Sequence, residues 1–219
     1  MFINKFTRWI DFIANNLTRA FKIIFSSNNK ELEELLSLEP KNWQSLSCPT
    51  TLSDGSIYIF SYEIKLIKGA IFHIKNFKNQ QLANSMTNVA IPILKSKIKD
   101  LNSELIVTSI PSSKQSRMNR GYNPSELLAK SLAEQLNACF IPNLLVKTRQ
   151  TQAQKELSRS KRLSNMLNSM KLKDKYEHRI NASTIIIVDD VVTTGATLKE
   201  AKRALEGQSK QVICLALSH

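Results

Sequence analysis

Two adjacent carboxylates, Asp189 and Asp190, stand just before a run of small and hydroxyl-bearing residues: Thr193, Thr194, Gly195, Ala196 and Thr197. Neighbouring carboxylates accept hydrogen bonds from a pair of sugar hydroxyls, or hold a hydrated Mg2+. Hydroxyls and unobstructed backbone N–H groups at a helix start attract a phosphate through hydrogen bonds and the helix dipole. With Val191 and Val192 as the connection, residues 189–197 read as a loop for a phosphorylated ribose. The structural alternative is an Asp-Asp turn that ends a strand and caps a helix.

Such a loop needs a rigid strand before it and a helix after it. Ile185, Ile186, Ile187 and Val188 are consecutive β-branched residues, suited to a strand covered on both faces of a parallel sheet. Ligands bind beyond the carboxyl ends of such strands. A helix is predicted over 196–205 and ended by Gly207. Apolar runs at 105–110 and 211–217 are predicted as further core strands, and 57–64 as another strand. Pro111, Ser112 and Ser113 then turn at the carboxyl end of the 105–110 run. Asn123, Pro124 and Glu126 read as an N-cap, a first-turn proline and a capping-box glutamate. They open a helix over 125–136 that turns Leu127, Leu128, Leu132 and Leu136 to the core. The expected fold is α/β, a mostly parallel sheet flanked by helices over 56–219, with a helical extension and linker over 1–55.

The run over 185–197 closely resembles the phosphoribosyl-diphosphate (PRPP) signature of type I phosphoribosyltransferases. That resemblance implies that Asp189 and Asp190 hold the ribose 2′- and 3′-hydroxyls. It assigns Val191, Val192, Thr193, Thr194, Gly195, Ala196 and Thr197 to PRPP, with Thr193–Thr197 around the 5′-phosphate. Purine-salvage members usually carry a carboxylate at the place of Thr193, where a hydroxyl cannot act as that base. Purine salvage is therefore a poor fit.

A second block comprises Pro111, Arg117, then Arg120-Gly121-Tyr122-Asn123-Pro124-Ser125-Glu126, and further on Arg149, Thr151, Gln154, Arg162 and Asn165. It resembles the ComF competence family (ComFC-like proteins) from about residue 62 onward. The resemblance implies a pyrophosphate loop at Ser112, Ser113 and Lys114, and catalytic roles for Asp189, Asp190, Arg149 and Arg162. It also implies DNA or phosphate contacts at Arg117, Arg120, Tyr122 and Arg159. In the wider fold a loop in the part of the chain at 147–165 folds over the diphosphate, which points to Arg149, Gln154, Arg159 and Arg162. A solvated basic loop leading into a helix over 158–168 explains the same residues. Capping explains Asn123 and Glu126 without a ligand, and a half-buried ring explains Tyr122 as well as base stacking does.

The implied cofactor is Mg2+ brought with PRPP, with Asp189 and Asp190 as its protein ligands. The implied function is binding PRPP or a related phosphorylated ribose and assisting internalisation of transforming single-stranded DNA, with the competence machinery as partner. The alternative is an active transferase moving phosphoribose to an unknown acceptor with release of pyrophosphate.

Composition bounds the partners. A 219-residue chain with 42% hydrophobic residues can bury one substantial core. Its formal charge of +13 raises attraction to nucleic acid or an anionic surface. ComF proteins typically begin with paired Cys-x-x-Cys zinc motifs, whereas Cys48, Cys139 and Cys214 are widely spaced, so no zinc is expected. Cys139 and Cys214 read as buried, inert thiols, and unpaired thiols without a secretory signal fit the cytoplasm. Residues 1–25 show helical periodicity, with Phe2, Phe6, Trp9, Ile13, Leu17 and Phe21 on one stripe and Lys5, Arg8, Arg19 and Lys22 opposite. Two readings stand for that face: packing on the core or a partner, or lying in the membrane interface, which would make the protein peripheral at the inner face. A short helix is expected over 30–38, and little order over 43–54 beyond a turn at Ser53-Asp54-Gly55.

Overall fold

The computed structural model describes residues 28–100, 102–148 and 168–219. Helices α1 (Asn28–Ser37) and α2 (Pro40–Ser45) lead into the hairpin of β1 (Ser47–Thr51) and β2 (Ile57–Phe60). Helices α3 (Lys65–Phe77) and α4 (Gln80–Lys97) come next, then β3 (Leu105–Ser109), α5 (Lys114–Arg120), α6 (Pro124–Leu136) and β4 (Cys139–Phe140). A separate antiparallel pair, β5 (Leu145–Lys147) and β6 (Met170–Leu172), precedes a short α7 (Glu177–Ile180). The chain closes with β7 (Thr184–Val191), α8 (Ala196–Arg203) and β8 (Gln211–Ser218).

The main sheet has six strands in the order β1-β2-β8-β7-β3-β4. Only β1 runs antiparallel to its neighbour; all other pairs are parallel. This is the expected α/β fold, a mostly parallel sheet flanked by helices. Strand β7 lies between β8 and β3, with Ile185 opposite Val212 on one side and Ile106 on the other. Alternation along the strands separates two cores. Ile186, Val188, Ile213, Leu215 and Leu217 pack with residues of α3, α4 and α6, including Ile71, Met86 and Leu132. Ile185, Ile187, Cys214 and Ala216 pack with Leu198, Leu205, Met170 and Leu172. Both faces are therefore covered, as four consecutive β-branched residues demand.

Several expectations are corrected. Residues 43–54 are ordered rather than irregular: Trp43 is 1% exposed and meets the Phe60 ring edge-on, and β1 adds a strand to the sheet. The pattern hid this because an edge strand needs no buried face, and four of the five β1 residues are exposed. Leu35 and Trp43 belong to the same core as α3 and α4, so residues 28–55 share both sheet and core with the C-terminal elements. Strand β7 does run into the carboxylates, as read from the sequence, and ends one residue beyond them at Val191. Strand β2 ends at Phe60, short of the expected 64. Cys139 is half-buried rather than buried, with its sulfur 3.1 Å from Arg179 Nη2. Among the described residues no helix is long and apolar enough to cross a membrane. The amphipathic reading of 1–25 and the helix expected over 158–168 fall outside the described residues, apart from Asn168, which lies in a turn.

Candidate ribose-phosphate site

The carboxyl ends of β3, β7 and β8 bring the chemistry-bearing segments together. The Ile110 N–H donates to Val188 O at 3.0 Å, which sets the turn at 111–113 beside the end of β7. The Val192 N–H donates to Ser218 O at 2.9 Å and ties the adjoining loop to β8. Gly195 then adopts φ +72°, a left-handed conformation that favours glycine, and opens α8. A Cβ added there would lie 2.9 Å from Asp54 Oδ2, in the turn between β1 and β2. Thr193 is exposed, and Thr194 Oγ1 faces the Ala196 N–H at 3.5 Å.

Alternation along β7 puts Asp190 in line with Ile186 and Val188, and Asp189 in line with Ile185 and Ile187. On the first side Lys75, from the last turn of α3, places Nζ 3.2 Å from Asp190 Oδ2. On the other side Lys147, at the end of β5, lies within electrostatic reach of Asp189. Asp189 Oδ1 accepts from Ser125 Oγ at 3.0 Å and from the Asp190 N–H at 2.9 Å. Asp190 Oδ1 accepts from the Val191 N–H at 2.7 Å. Burial, reinforced by the charge of Asp190, pushes the Asp189 carboxyl up to about 7 against the pull of these bonds and of Lys75. Burial likewise lowers the Lys147 ammonium, which Asp189 partly offsets. Downstream, buried Glu200 anchors α8: Oε1 accepts from the Met170 N–H at 3.1 Å, and Oε2 from Arg203 Nε at 2.9 Å.

Around this centre the expected residues fall into distinct roles. Ser112 Oγ is buried with no hydrogen-bond partner among the described residues, in the turn expected to hold pyrophosphate. Ser113 caps α5 by accepting from the Ser116 N–H at 3.0 Å, and Lys114 is the first residue of that helix. Asn123 is the N-cap of α6, but its side chain makes no cap bond. It donates instead from Nδ2 to Ile110 O at 2.9 Å, joining α6 to the end of β3. Glu126 is not a capping-box partner; Arg117 Nη2 binds its Oε2 at 2.8 Å, giving both residues a structural use. Arg120 is exposed at the end of α5. The Tyr122 hydroxyl donates to Ile74 O and accepts from the Lys78 N–H at 2.9 Å, so it clamps the end of α3. Arg149, Gln154, Arg159 and Arg162 lie outside the described residues.

Sequence reasoning missed Lys75, Lys147 and the Ser125 hydroxyl as neighbours of the carboxylates. Nothing local marks the lysines, which reach the site only through the packing of α3 and the β5–β6 pair. Among the described residues no group of three or more His, Cys, Asp and Glu gathers that could hold a metal ion. Mg2+ prefers near-octahedral oxygen coordination and usually keeps water and substrate phosphates as ligands. Asp190 is already paired with Lys75, and the Asp189 carboxyl is raised to about 7. This pair fits a metal arriving on a ligand's phosphates, and not one held by the protein alone.

The strand, acidic pair, left-handed glycine and helix all lie in the part of the chain that matches a known domain. The sequence profile of the phosphoribosyl transferase domain matches residues 123–219. DNA utilization protein YhgH of Escherichia coli (strain K12) is 33% identical over 112 residues, covering 50% of this chain and 48% of that protein. Competence protein F of Haemophilus influenzae (strain ATCC 51907 / DSM 11121 / KW20 / Rd) is 34% identical over 89 residues, covering 39% of this chain and 37% of that protein. The chain is thus a distant homologue of these two proteins, and the matched region spans half their length or less. Among solved structures, it is similar to adenine phosphoribosyltransferase of Saccharomyces cerevisiae, 14% identical, covering 81% of this chain and 88% of that chain with a TM-score of 0.39. The enzyme of the same name from Leishmania tarentolae is 12% identical, covering 78% and 94% with a TM-score of 0.42.

Proposed function

We propose that this chain is a ComF-like competence protein that binds PRPP or a related phosphorylated ribose and assists internalisation of single-stranded DNA. The observation that carries the sugar-phosphate half is the juxtaposition of Asp189 and Asp190 with the left-handed turn at Gly195 that opens α8. In this reading the carboxylates accept from the ribose hydroxyls, the loop at 193–197 holds the 5′-phosphate, and Ser112 faces the diphosphate. Mg2+ bound to the diphosphate would offset its charge. The DNA half draws on the names of the two relatives and on the formal charge of +13. Residues 1–25 remain a candidate membrane-surface or partner contact in this scheme.

Calorimetric titration of PRPP with Mg2+ tests the first half. Wild type binds and the double variant Asp189→Asn, Asp190→Asn does not; no binding to folded wild type refutes the site. For DNA, affinity for a single strand falls steeply with salt, and a salt-independent or absent affinity refutes that half. A second reading is favoured by the Asp189 carboxyl at about 7, which suits a group that takes a proton near neutral pH. Under that reading the chain transfers phosphoribose to an acceptor, and pyrophosphate release over a panel of acceptors detects it.

A further inference from the structure

We infer that Lys75 is a built-in cation of the acidic pair, so that a phosphorylated ribose can bind here without a divalent metal bridging carboxylate and ligand. This rests on the reading of residues 189–197 as a phosphoribose site. Bringing an anionic sugar phosphate to two adjacent carboxylates sets like charges together, and a positive charge at the pair removes that penalty. Lys75 supplies it from α3, with Nζ 3.2 Å from Asp190 Oδ2.

The ion pair is held in place. The side chains of Lys75 and Asp190 are 26% and 16% exposed, whereas Glu63, in the Lys68 pair on the same helix, is 88% exposed. Shielding from water strengthens a charge pair relative to one on the surface. Lys75 also sits on a clamped turn, because the Tyr122 hydroxyl bonds Ile74 O and the Lys78 N–H on either side of it. Asp190 is not used up by the contact. Each carboxylate oxygen offers about two acceptor positions, and the described residues fill one on Oδ2, from Lys75, and one on Oδ1, from the Val191 N–H. A ribose hydroxyl can donate to the remainder while the ammonium stays. The geometry therefore separates two duties often given to one metal ion: Lys75 balances the carboxylates, and a metal, when present, serves the ligand's own phosphates.

The probe is ribose 5-phosphate, which carries no diphosphate to import a metal. Titrations of the full chain in EDTA and in Mg2+ compare wild type, Lys75→Met, Lys75→Arg and the control Lys68→Met. Wild type binds within about threefold in the two media. Lys75→Met loses about tenfold or more in EDTA, the scale of one charge-assisted contact, and recovers in part with Mg2+. Lys75→Arg and Lys68→Met behave as wild type. Binding of wild type in Mg2+ but not in EDTA overturns the inference and leaves the phosphoribose reading standing. So does a folded Lys75→Met that binds in EDTA as tightly as wild type. If wild type binds in neither medium, both fall together. Melting curves establish that each variant is folded, and the wild-type comparison between media decides the question even if Lys75→Met is not.

Discussion

Replacing Asp189 by asparagine should make the protein more stable at neutral pH, although it removes a central residue of the proposed site. The native carboxyl is pushed from its ordinary 3.8 to about 7, mainly by burial and then by Asp190. Between those values the native state holds a proton that the unfolded chain has lost, so stability falls as pH rises from about 4 to about 7. Above 7 the loss is complete and constant. At about 1.36 kcal/mol per pH unit the upper bound is about 4 kcal/mol. Asparagine keeps the geometry, because both bonds to Asp189 end on Oδ1, from Ser125 Oγ and the Asp190 N–H, and an amide oxygen accepts them equally. Lys147 loses its anionic neighbour, which takes back part of the gain. The net expectation is about 2 kcal/mol at pH 8, or a melting temperature higher by about 4 °C or more in a chain of this size. Near pH 4 the difference closes. Thermal melts followed by circular dichroism at pH 4, 5, 6, 7 and 8 measure it. A variant that melts at or below wild type at pH 8, with a gap that does not change with pH, refutes the reasoning.

The same contacts set three further outcomes. Gly195→Ala forces a side chain into φ +72° and against Asp54 Oδ2, so it lowers stability by about 1 kcal/mol in denaturant melts and weakens PRPP binding in titration. Glu200→Ala leaves the buried Met170 N–H and Arg203 without their acceptor and destabilises by about 3 kcal/mol, read by urea unfolding. Burial pushes the Cys214 thiol up to about 12, so at pH 8 iodoacetamide labels exposed Cys48 in the native chain and Cys214 only after unfolding, as peptide mass spectrometry would show.

Legibility in the sequence tracked how local each cause was. Strand β7 and the start of α8 were readable because the β-branched run and the Thr/Gly loop carry their own conformational preferences. The leucines of α6 were readable from spacing, and Leu127, Leu128 and Leu132 are buried. The start of α6 was readable, with Asn123 at the N-cap and Pro124 in the first turn, but the side-chain bonds were not, because other segments compete for them: Ile110 O takes the Asn123 amide, and Arg117 takes the Glu126 carboxylate. Strand β1 was invisible because it is polar, contains Pro49, and is held by backbone pairing with β2 alone. In the site, the carboxylates and the phosphate loop form one contiguous stretch and stood out. Lys75 and Lys147 did not, since each arrives from a distant element and neither spacing nor type sets it apart from the other lysines.

The position of β8 has a consequence for how the protein comes to be made. This strand sits between β2 and β7, so residues 57–60 find their parallel partner only in residues 215–218. During synthesis the N-terminal hairpin and the helices after it must wait, one sheet edge open, until residues 211–218 have left the ribosome. Parallel pairing between such distant segments is slow to nucleate, and open strand edges recruit other chains meanwhile. During that interval β1 covers the far side of β2, so the hairpin's outer edge is the polar, proline-bearing strand, and the open side of the apolar β2 is the one left for β8.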